Sequence, residues 1–170
     1  MKQIGIFLRA LEPEDLDLLV QLENDSSLWK YSNRTEPFSR ALLQKYIDEQ
    51  HQDIFEVKQK RFVVSYPDQT PIGFIDFFDF EPLHRRAGIG IIIHPDYRGK
   101  GYGKKALKLA EEYATKHLIL HSLYANIAPE NNASLRMFES CEFFRLAEKK
   151  EWNFYEGQFH DEYLYQKLLS

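Results

Sequence analysis

Apolar residues in the first part of the chain recur every three or four positions, as they do in amphipathic helices. A short strand is predicted at Ile4–Arg9, and Pro13 with its acidic neighbours then indicates the start of a first helix. Ser39 can cap a second helix, because its hydroxyl can accept a hydrogen bond from a free backbone N–H. The apolar stripe of this second helix consists of Leu42, Leu43, Tyr46 and Ile47.

The middle of the chain changes to strand-like runs. Arg61–Tyr66 and Ile72–Phe80 flank a segment of turn-forming residues at 67–71, and together they predict a hairpin. The next run, Arg86–His94, becomes almost continuously apolar towards its end. Such a run is typical of a central strand that is covered on both faces.

The remainder of the chain alternates helices and strands. Apolar residues at helical spacing from Ala106 to Ala114 predict a long helix, which precedes a strand at Leu123–Ile127. A short helix at Pro129–Ser140 and late strands at Phe143–Lys149 and His160–Lys167 complete the pattern. Strand, helix and strand in succession favour a parallel crossover, so we predict one mixed α/β domain over residues 1–170.

Composition narrows the functional classes. A formal net charge of −4 argues against a general nucleic-acid binder and leaves room for a cationic substrate. The single cysteine, Cys141, cannot form an intrachain disulfide, and the start of the chain lacks a secretory pattern. No apolar run is long enough to span a bilayer, and the six histidines lack metal-ligand spacing. We therefore expect a cytoplasmic protein with no metal and no membrane partner.

A glycine-rich segment lies directly before the long helix. Gly99, Gly101 and Gly103 allow successive backbone N–H groups to point inward and form an anion nest, and the helix adds its positive N-terminal end. The cations around the segment are Arg98, Lys100, Lys104 and Lys105. A diphosphate suits this arrangement. The spacing matches neither a P-loop nor a Rossmann fingerprint, and a kinase loop would need downstream motifs that are missing. The remaining alternative is a glycine-rich turn with solubilising neighbours.

Two motifs in this order resemble the GNAT superfamily of N-acetyltransferases. The first is the apolar strand end, proline and glycine segment at Ile91–Gly103, and the second is the helix start at Pro129–Phe138. The opening at Leu8–Leu16, together with Arg61–Val64 and His84–Ala87, is similar to the bacterial spermidine N-acetyltransferase branch. That branch borders the ribosomal-protein alanine acetyltransferases, whose openings look similar.

The resemblance implies a fold and a set of coenzyme contacts. The fold is a mixed, mainly antiparallel sheet flanked by helices, with a central parallel strand pair that splays apart near Gly90–Ile93. Backbone groups of Ile91, Ile92 and Ile93 would pair with the pantetheine arm of acetyl-CoA, and one N–H would polarise the thioester carbonyl. The pyrophosphate would be held by Arg98, Gly99, Lys100, Gly101, Tyr102 and Gly103. Asn131 and Ser134 would contact the coenzyme from the next helix.

Two positions depart from the spermidine acetyltransferase pattern. Phe138 occupies the place of a Tyr that protonates the departing thiolate, and a phenyl ring cannot donate a proton. Glu142 occupies the place of a usual Gly. A simple thiol has a pKa of ~8.5, so thiolate is a tolerable leaving group near neutral pH even without a donor. Tyr124 and Tyr102 are conceivable donors, with core packing or surface placement as the alternative.

A primary amine must also lose a proton before it can react. Asp76 and Asp79 lie on opposite faces of their strand if that strand is regular, so only one can face the cleft. Asp79 matches an acidic position of the spermidine enzymes and is our predicted catalytic residue, with a solvated surface group or a hairpin salt bridge as the alternative. Trp29, Tyr31 and Phe38 can wall an amine channel, and the acidic first helix can rim it. The alternatives are core aromatics and a solvated helix face.

Taken together, the sequence predicts an acetyl-CoA-dependent N-acetyltransferase. The acceptor would be the primary amine of a polyamine such as spermidine, with direct transfer in a ternary complex, and family likeness suggests a homo-oligomer. One alternative is acetylation of protein N-termini, as in the ribosomal-protein enzymes. The other is a non-catalytic acyl-CoA-binding sensor, which Phe138 keeps open.

Overall fold

One seven-stranded sheet organises the chain in the computed structural model, which describes residues 5–170. The strands are β1 (Phe7–Arg9), β2 (Lys60–Ser65), β3 (Pro71–Glu81), β4 (Arg86–Ile93), β5 (Ser122–Ile127), β6 (Phe144–Tyr155) and β7 (Gln158–Leu168). The helices are α1 (Leu16–Glu23), α2 (Arg40–Asp48), α3 (Ile54–Val57), α4 (Tyr102–Lys116) and α5 (Asn132–Ser140). Within the described range, no helix is both long and apolar enough to cross a membrane.

The strand order β1-β2-β3-β4-β5-β7-β6 confirms the predicted fold class. Every neighbouring pair is antiparallel except β4 and β5, which are joined by the crossover helix α4 and run parallel. The predicted elements are all present, and the last two strands are several residues longer than predicted. Of the predicted first strand, Ile4 lies outside the described residues.

Local hydrogen bonds fix the start of α2 and the turn at Pro13–Asp15 that leads into α1. The hydroxyl of Ser39 accepts the N–H of Leu42 at 3.1 Å, as predicted for a helix cap. The buried carboxylate of Asp15 accepts two hydrogen bonds of 2.8 Å from the guanidinium of Arg9 and one of 2.8 Å from the N–H of Glu12. This ion pair fixes α1 against β1.

Helices cover the sheet on both faces. On one face, Leu19 and Leu22 of α1 and Leu43 and Ile47 of α2 pack with Val63 and Phe74. On the other, Ala106, Leu107, Ala110 and Ala114 of α4 join Ile75 and Phe77, and Phe138 of α5 belongs to the same cluster. Phe74 and Ile75 are adjacent in β3 and point to opposite faces, so this strand is buried on both.

The parallel strands β4 and β5 separate after three paired residues. Arg86, Ala87 and Gly88 pair with β5, whereas β4 continues along β3 as far as Ile93 and β5 continues along β7 as far as Ile127. A wedge-shaped gap therefore opens between them. As predicted for a central strand, the end of β4 packs on both faces, through Ile91 and Ile93 on one and Ile92 on the other. Residues 90–93 are nevertheless only half-buried, because β5 no longer covers the edge of β4 there.

Three side-chain positions form the apex of this gap. Gly88 is the last paired residue of β4, and the ring of Phe78 fills the space above it, so that a Cβ at Gly88 would lie 2.2 Å from a ring carbon. The same ring packs edge-on against Tyr124, the partner of Gly88 in β5, with 5.8 Å between ring centroids. The missing side chain at Gly88 thus allows Phe78 to lie across the point where the strands part.

We expect Gly88→Ala to destabilise the protein, because the new methyl group collides with the Phe78 ring. Overpacking of this kind typically lowers the free energy of unfolding by about 1–3 kcal/mol, which urea denaturation measures. Gly90→Ala is the matched control, since its Cβ meets no described atom closer than 3.9 Å, again in Phe78. Equal stability losses in the two variants would contradict the packing described for the apex.

Candidate active site

A cleft of about 760 Å³ is lined by the end of β4, beyond the point where β5 turns away from it. One end is formed by the glycine segment before α4, and the other by Glu23, Arg61 and Asp76. The half-buried end of β4, from Gly90 to Ile93, lines the cleft between these two ends. The wall opposite the strand comes from α5 and from the turn around Trp29.

The glycine end presents free backbone donors. Gly99 and Gly101 have φ angles of +74° and +79°, which glycine adopts without the steric cost that other residues incur. Helix α4 starts directly after Gly101, and its first intrahelical bond runs from the N–H of Lys105 to Gly101 at 3.2 Å. The N–H groups of residues 102–104 therefore have no intrahelical acceptor, and Gly101 has no side chain to cap them. Together with the helix dipole, they form an anion site.

Close packing brings α5 to the same end of the cleft. A Cβ at Gly103 would lie 2.6 Å from the sulfur of Met137, so the absence of a side chain at Gly103 leaves room for the Met137 side chain of α5. Asn131 caps α5 by accepting the N–H of Ser134 at 3.3 Å. Both residues line the cleft, as does Arg136.

The structure brings together all but one of the residues predicted to hold the coenzyme. The members of that set that line the cleft are Ile91, Ile92, Ile93, Arg98, Gly99, Gly101, Tyr102, Gly103, Asn131 and Ser134. Lys100 is the exception: its ammonium donates to the carbonyl of Asp96 at 2.9 Å. The individual coenzyme contacts stay predictions.

Backbone direction separates the three isoleucines of β4. The N–H of His94 donates to Ile72 at 2.9 Å, so residues 92 and 94 direct their backbone groups towards β3. Because direction alternates along a strand, Ile91 and Ile93 direct theirs into the gap. The carbonyl of Ile93 already accepts a 2.7 Å hydrogen bond from Nε of Arg98. The backbone of Ile91 and the N–H of Ile93 therefore face the gap, whereas Ile92 can offer only its side chain.

A chain of alternating charges crosses the other end of the cleft. Arg61 binds Asp76 through Nε at 2.7 Å and Nη2 at 2.8 Å, and its Nη1 donates to Glu23 at 2.5 Å. The second oxygen of Glu23 accepts a 2.9 Å hydrogen bond from Arg34. Burial disfavours the charged guanidinium of Arg61, but the carboxylates of Asp76 and Glu23 outweigh it, so the pKa of Arg61 is raised above its usual value.

Aromatic residues wall this end in part, as predicted. Trp29 and Tyr31 line the cleft, and the indole N–H of Trp29 donates to the carbonyl of Glu23 at 3.0 Å. Phe38 does not line it; its ring lies under the guanidinium of Arg34, 3.3 Å from the ring centroid. The first two can therefore contact a bound amine, and Phe38 supports the charge chain.

Phe138 is a core residue. Its ring packs edge-on against Phe143, with 5.0 Å between centroids, and it does not line the cleft. Of the two conceivable donors, Tyr102 lines the cleft at the start of α4, where its ring packs against that of Tyr66. Tyr124 is outside the cleft lining.

Asp79 lies beside the gap. The strand is irregular here: Asp79 has a φ of +46° and falls within a bulge between Phe78 and Glu81. Its carboxylate accepts the hydroxyl of Tyr124 at 3.0 Å, and burial together with this carboxylate raises the pKa of Tyr124 to about 12. Asp76, not Asp79, lines the cleft. The catalytic role of Asp79 stays a prediction.

Sequence reasoning missed the charge chain. Arg61 within the apolar run 61–64 carried a usable signal, since a cation in a buried strand requires a carboxylate partner, and Asp76 is the residue opposite it in β3. Arg34 carried no such signal, because it follows the turn at Ser26–Tyr31 and meets Glu23 only in the folded chain.

One cleft thus combines the end of β4, the uncapped start of α4 and the glycine segment. A family profile that matches the sequence points to the same function. The profile, described as an acetyltransferase (GNAT) domain, matches residues 6–143. The chain belongs to the GNAT family. It is accordingly an N-acetyltransferase with acetyl-CoA as cosubstrate, and the recognition made from its motifs is confirmed.

Characterised relatives of this GNAT chain extend over nearly its whole length. The spermidine N(1)-acetyltransferase of Escherichia coli K12 is 32% identical over 92% of this chain and 82% of the relative. The crystal structure of the Vibrio cholerae spermidine N-acetyltransferase in complex with CoA and spermine has a TM-score of 0.87 and 28% identity, covering 96% of this chain and 95% of the other. A dodecameric structure of the Vibrio cholerae enzyme has a TM-score of 0.80 and 29% identity, over 97% and 94% of the two chains.

We expect Gly101→Leu to weaken acetyl-CoA binding at least about tenfold, because the new side chain keeps phosphate away from amides that each contribute about 1.5–3 kcal/mol to a charged partner. Calorimetry measures the dissociation constant. Gly157→Leu is the matched control: Gly157 has a φ of +78° and equally open surroundings, but it lies in the β6–β7 turn. The glycine cradle is refuted if Gly101→Leu binds with wild-type affinity.

Proposed function

We propose that this GNAT enzyme transfers the acetyl group of acetyl-CoA directly to a primary amine of a polyamine such as spermidine, within a ternary complex. The observation that carries the proposal is the continuity of the cleft, from the uncapped start of α4 through the gap to Glu23 and Asp76. A coenzyme in one half and an amine in the other meet without an acyl-enzyme intermediate. The polyamines named for the two relatives, spermidine in the enzyme names and spermine as a bound molecule, support the choice of amine.

In the coenzyme half, the pyrophosphate binds to the N–H groups of residues 102–104 and the backbone of Gly99 and Gly101. Arg98 and Lys104 lie against it, since both line the cleft. The pantetheine arm enters the gap and pairs with the backbone of Ile91. An N–H of Ile91 or Ile93 polarises the thioester carbonyl, and such a donor contributes most where water is excluded. Asn131 and Ser134 contact the coenzyme from α5.

In the acceptor half, the amine approaches from the side of Asp76 and Trp29. The nitrogen lone pair attacks the carbonyl carbon, a C–N bond forms, the C–S bond breaks, and coenzyme A leaves as its thiolate. A leaving group with a pKa of ~8.5 makes a general acid helpful rather than essential. That chemistry accords with Phe138, which lies in the core rather than in the cleft.

The proton released by the amine goes to Asp79 in this proposal. The carboxylate of Asp79 is exposed and lies beside the apex of the gap through its hydrogen bond to Tyr124, the last residue of β5 that pairs with β4. Because Asp79 does not line the cleft, transfer proceeds through water. General base catalysis of this kind typically accelerates a reaction about 10²–10⁴-fold, so Asp79 accounts for no more than that part of the rate.

We also propose that the enzyme is a homo-oligomer. Large apolar side chains are exposed on the β6–β7 hairpin, where Trp152, Phe154 and Phe159 are each more than 60% exposed. Exposed apolar groups in this number mark interaction surfaces. The dodecameric assembly named for the Vibrio cholerae relative supports self-association as their use.

An amine panel with saturating acetyl-CoA tests the proposed acceptor, with thiol release as the readout. We expect spermidine and spermine to be acetylated with a higher kcat/KM than N-terminal peptides, because the partly exposed carboxylates of Glu23 and Asp76 and the rings of Trp29 and Tyr31 offer contacts to ammonium groups. Faster turnover of the peptides would favour an N-terminal acetyltransferase. Coenzyme binding without turnover of any amine would leave only the sensor function.

The rate of an Asp79 variant tests its role. If its carboxylate accepts the proton, Asp79→Asn lowers kcat about tenfold or more, while the affinity for acetyl-CoA stays unchanged. Asparagine retains an oxygen for the hydroxyl of Tyr124, so the bulge is kept. A variant with the wild-type kcat would exclude Asp79 from the reaction and leave the proton to bulk water.

A further inference from the structure

The acceptor end of the cleft is electrically balanced rather than acidic. Its two carboxylates, Glu23 and Asp76, are each held by a guanidinium, so that Arg34, Glu23, Arg61 and Asp76 alternate in sign and sum to zero. The carboxylate side chains remain 21% exposed, whereas both arginines are 13% exposed. A bound polyamine thus meets carboxylates whose charge is already compensated.

The two arginines contribute differently to this balance. Arg61 is the inner member: it is bidentate to Asp76, and its strand position opposite Asp76 in the β2–β3 ladder fixes that pairing. Arg34 is the outer member and binds only Glu23 among the carboxylates, at 2.9 Å. Arg61 compensates Asp76, and Arg34 supplies the charge that compensates Glu23.

Arg34 is held in place from three sides. Besides Glu23, its guanidinium donates to the carbonyl of Glu36 at 2.9 Å, and it stacks on the ring of Phe38 at 3.3 Å from the ring centroid. Such a planar, pre-oriented cation loses little freedom when it pairs with a carboxylate. Arg34 does not itself line the cleft, so it acts on a bound acceptor through Glu23.

We propose that Arg34 is a specificity-determining residue that limits the preference of the enzyme for highly charged amines by neutralising Glu23. The inference deepens the proposed function and rests on it. With Arg34 present, acceptors with one, two or three ammonium groups meet a site of zero net charge. Without it, the same site carries one negative charge and favours each additional ammonium.

The size of the effect follows from Coulomb's law. A unit charge near a protein surface changes the binding of another at about 8–10 Å by roughly five- to thirtyfold, before screening by salt. The nitrogen that is acetylated must first lose its proton, so butylamine reacts as a neutral molecule whereas spermidine keeps two ammonium groups. Arg34→Gln is therefore expected to lower the KM for spermidine about five- to tenfold at low salt, and that for butylamine by less than about twofold. The value of kcat stays near that of wild type, because no reacting group changes.

The experiment measures KM and kcat for butylamine, putrescine and spermidine, which carry one, two and three amino groups. Arg40→Gln is the matched control, because Arg40 pairs with Asp17 on an exposed part of α1 and α2, and its loss changes the net charge equally. Arg34→Lys keeps the charge and is expected to keep the wild-type ranking. Glu23→Gln leaves the four-residue charge chain with a net positive charge, so it is expected to raise the KM for spermidine more than the KM for putrescine or butylamine.

Two outcomes overturn the inference. One is a change in KM that is the same for all three amines, which indicates a structural role for Arg34. The other is an equal effect of Arg40→Gln, which indicates only the net charge of the protein. If Arg34→Gln does not fold, the other two variants test the inference. A charge effect must raise the KM for spermidine in Glu23→Gln and leave it unchanged in Arg34→Lys.

Failure of the proposed function is distinguishable from failure of this inference. If the wild-type enzyme acetylates none of the three amines, the polyamine proposal fails. The charge series is then measured as binding to the CoA-saturated protein by calorimetry, with the same three amines as probes. A graded gain in affinity in Arg34→Gln that disappears at high salt supports the role of Arg34, and its absence refutes it.

Discussion

The early separation of the parallel strands β4 and β5 is the constraint on which the rest of the structure depends. Three residue pairs join them, and then Gly88, the ring of Phe78 and Tyr124 occupy the point at which they part. A fully paired strand would use the backbone of Ile91 in the sheet. Separation instead directs that backbone into a gap, where a pantetheine arm can take the place of the missing strand.

The two ends of the cleft differ in electrostatic character, as their proposed ligands do. At the start of α4, uncapped N–H groups and the side chains of Arg98 and Lys104 make one end strongly attractive to phosphate. At the other end the four charges that include Arg61 and Asp76 cancel. In the proposed complex the anionic coenzyme binds at the first end, the cationic amine binds at the balanced end away from the positive charges, and the neutral thioester lies between them.

Much of this could be predicted from the sequence, because the signals were local. The glycine segment, the cap at Ser39 and the crossover helix all depend on neighbouring residues. Three features could not be predicted, because they depend on how separate segments of the chain meet in the fold. The half-burial at residues 90–93 depends on where β5 turns away, the positive φ of Asp79 depends on a bulge, and the partner of Arg34 lies eleven residues earlier in another element.

A crystal structure with a bisubstrate analogue, in which coenzyme A is joined covalently to spermidine, tests the central claim most directly. Our account predicts the pyrophosphate on the first turn of α4, the pantetheine arm beside the backbone of Ile91, and the polyamine chain leading towards Asp76 and Trp29. A pantetheine arm that bypasses the gap, or a polyamine chain that leaves the cleft on another side, would contradict it.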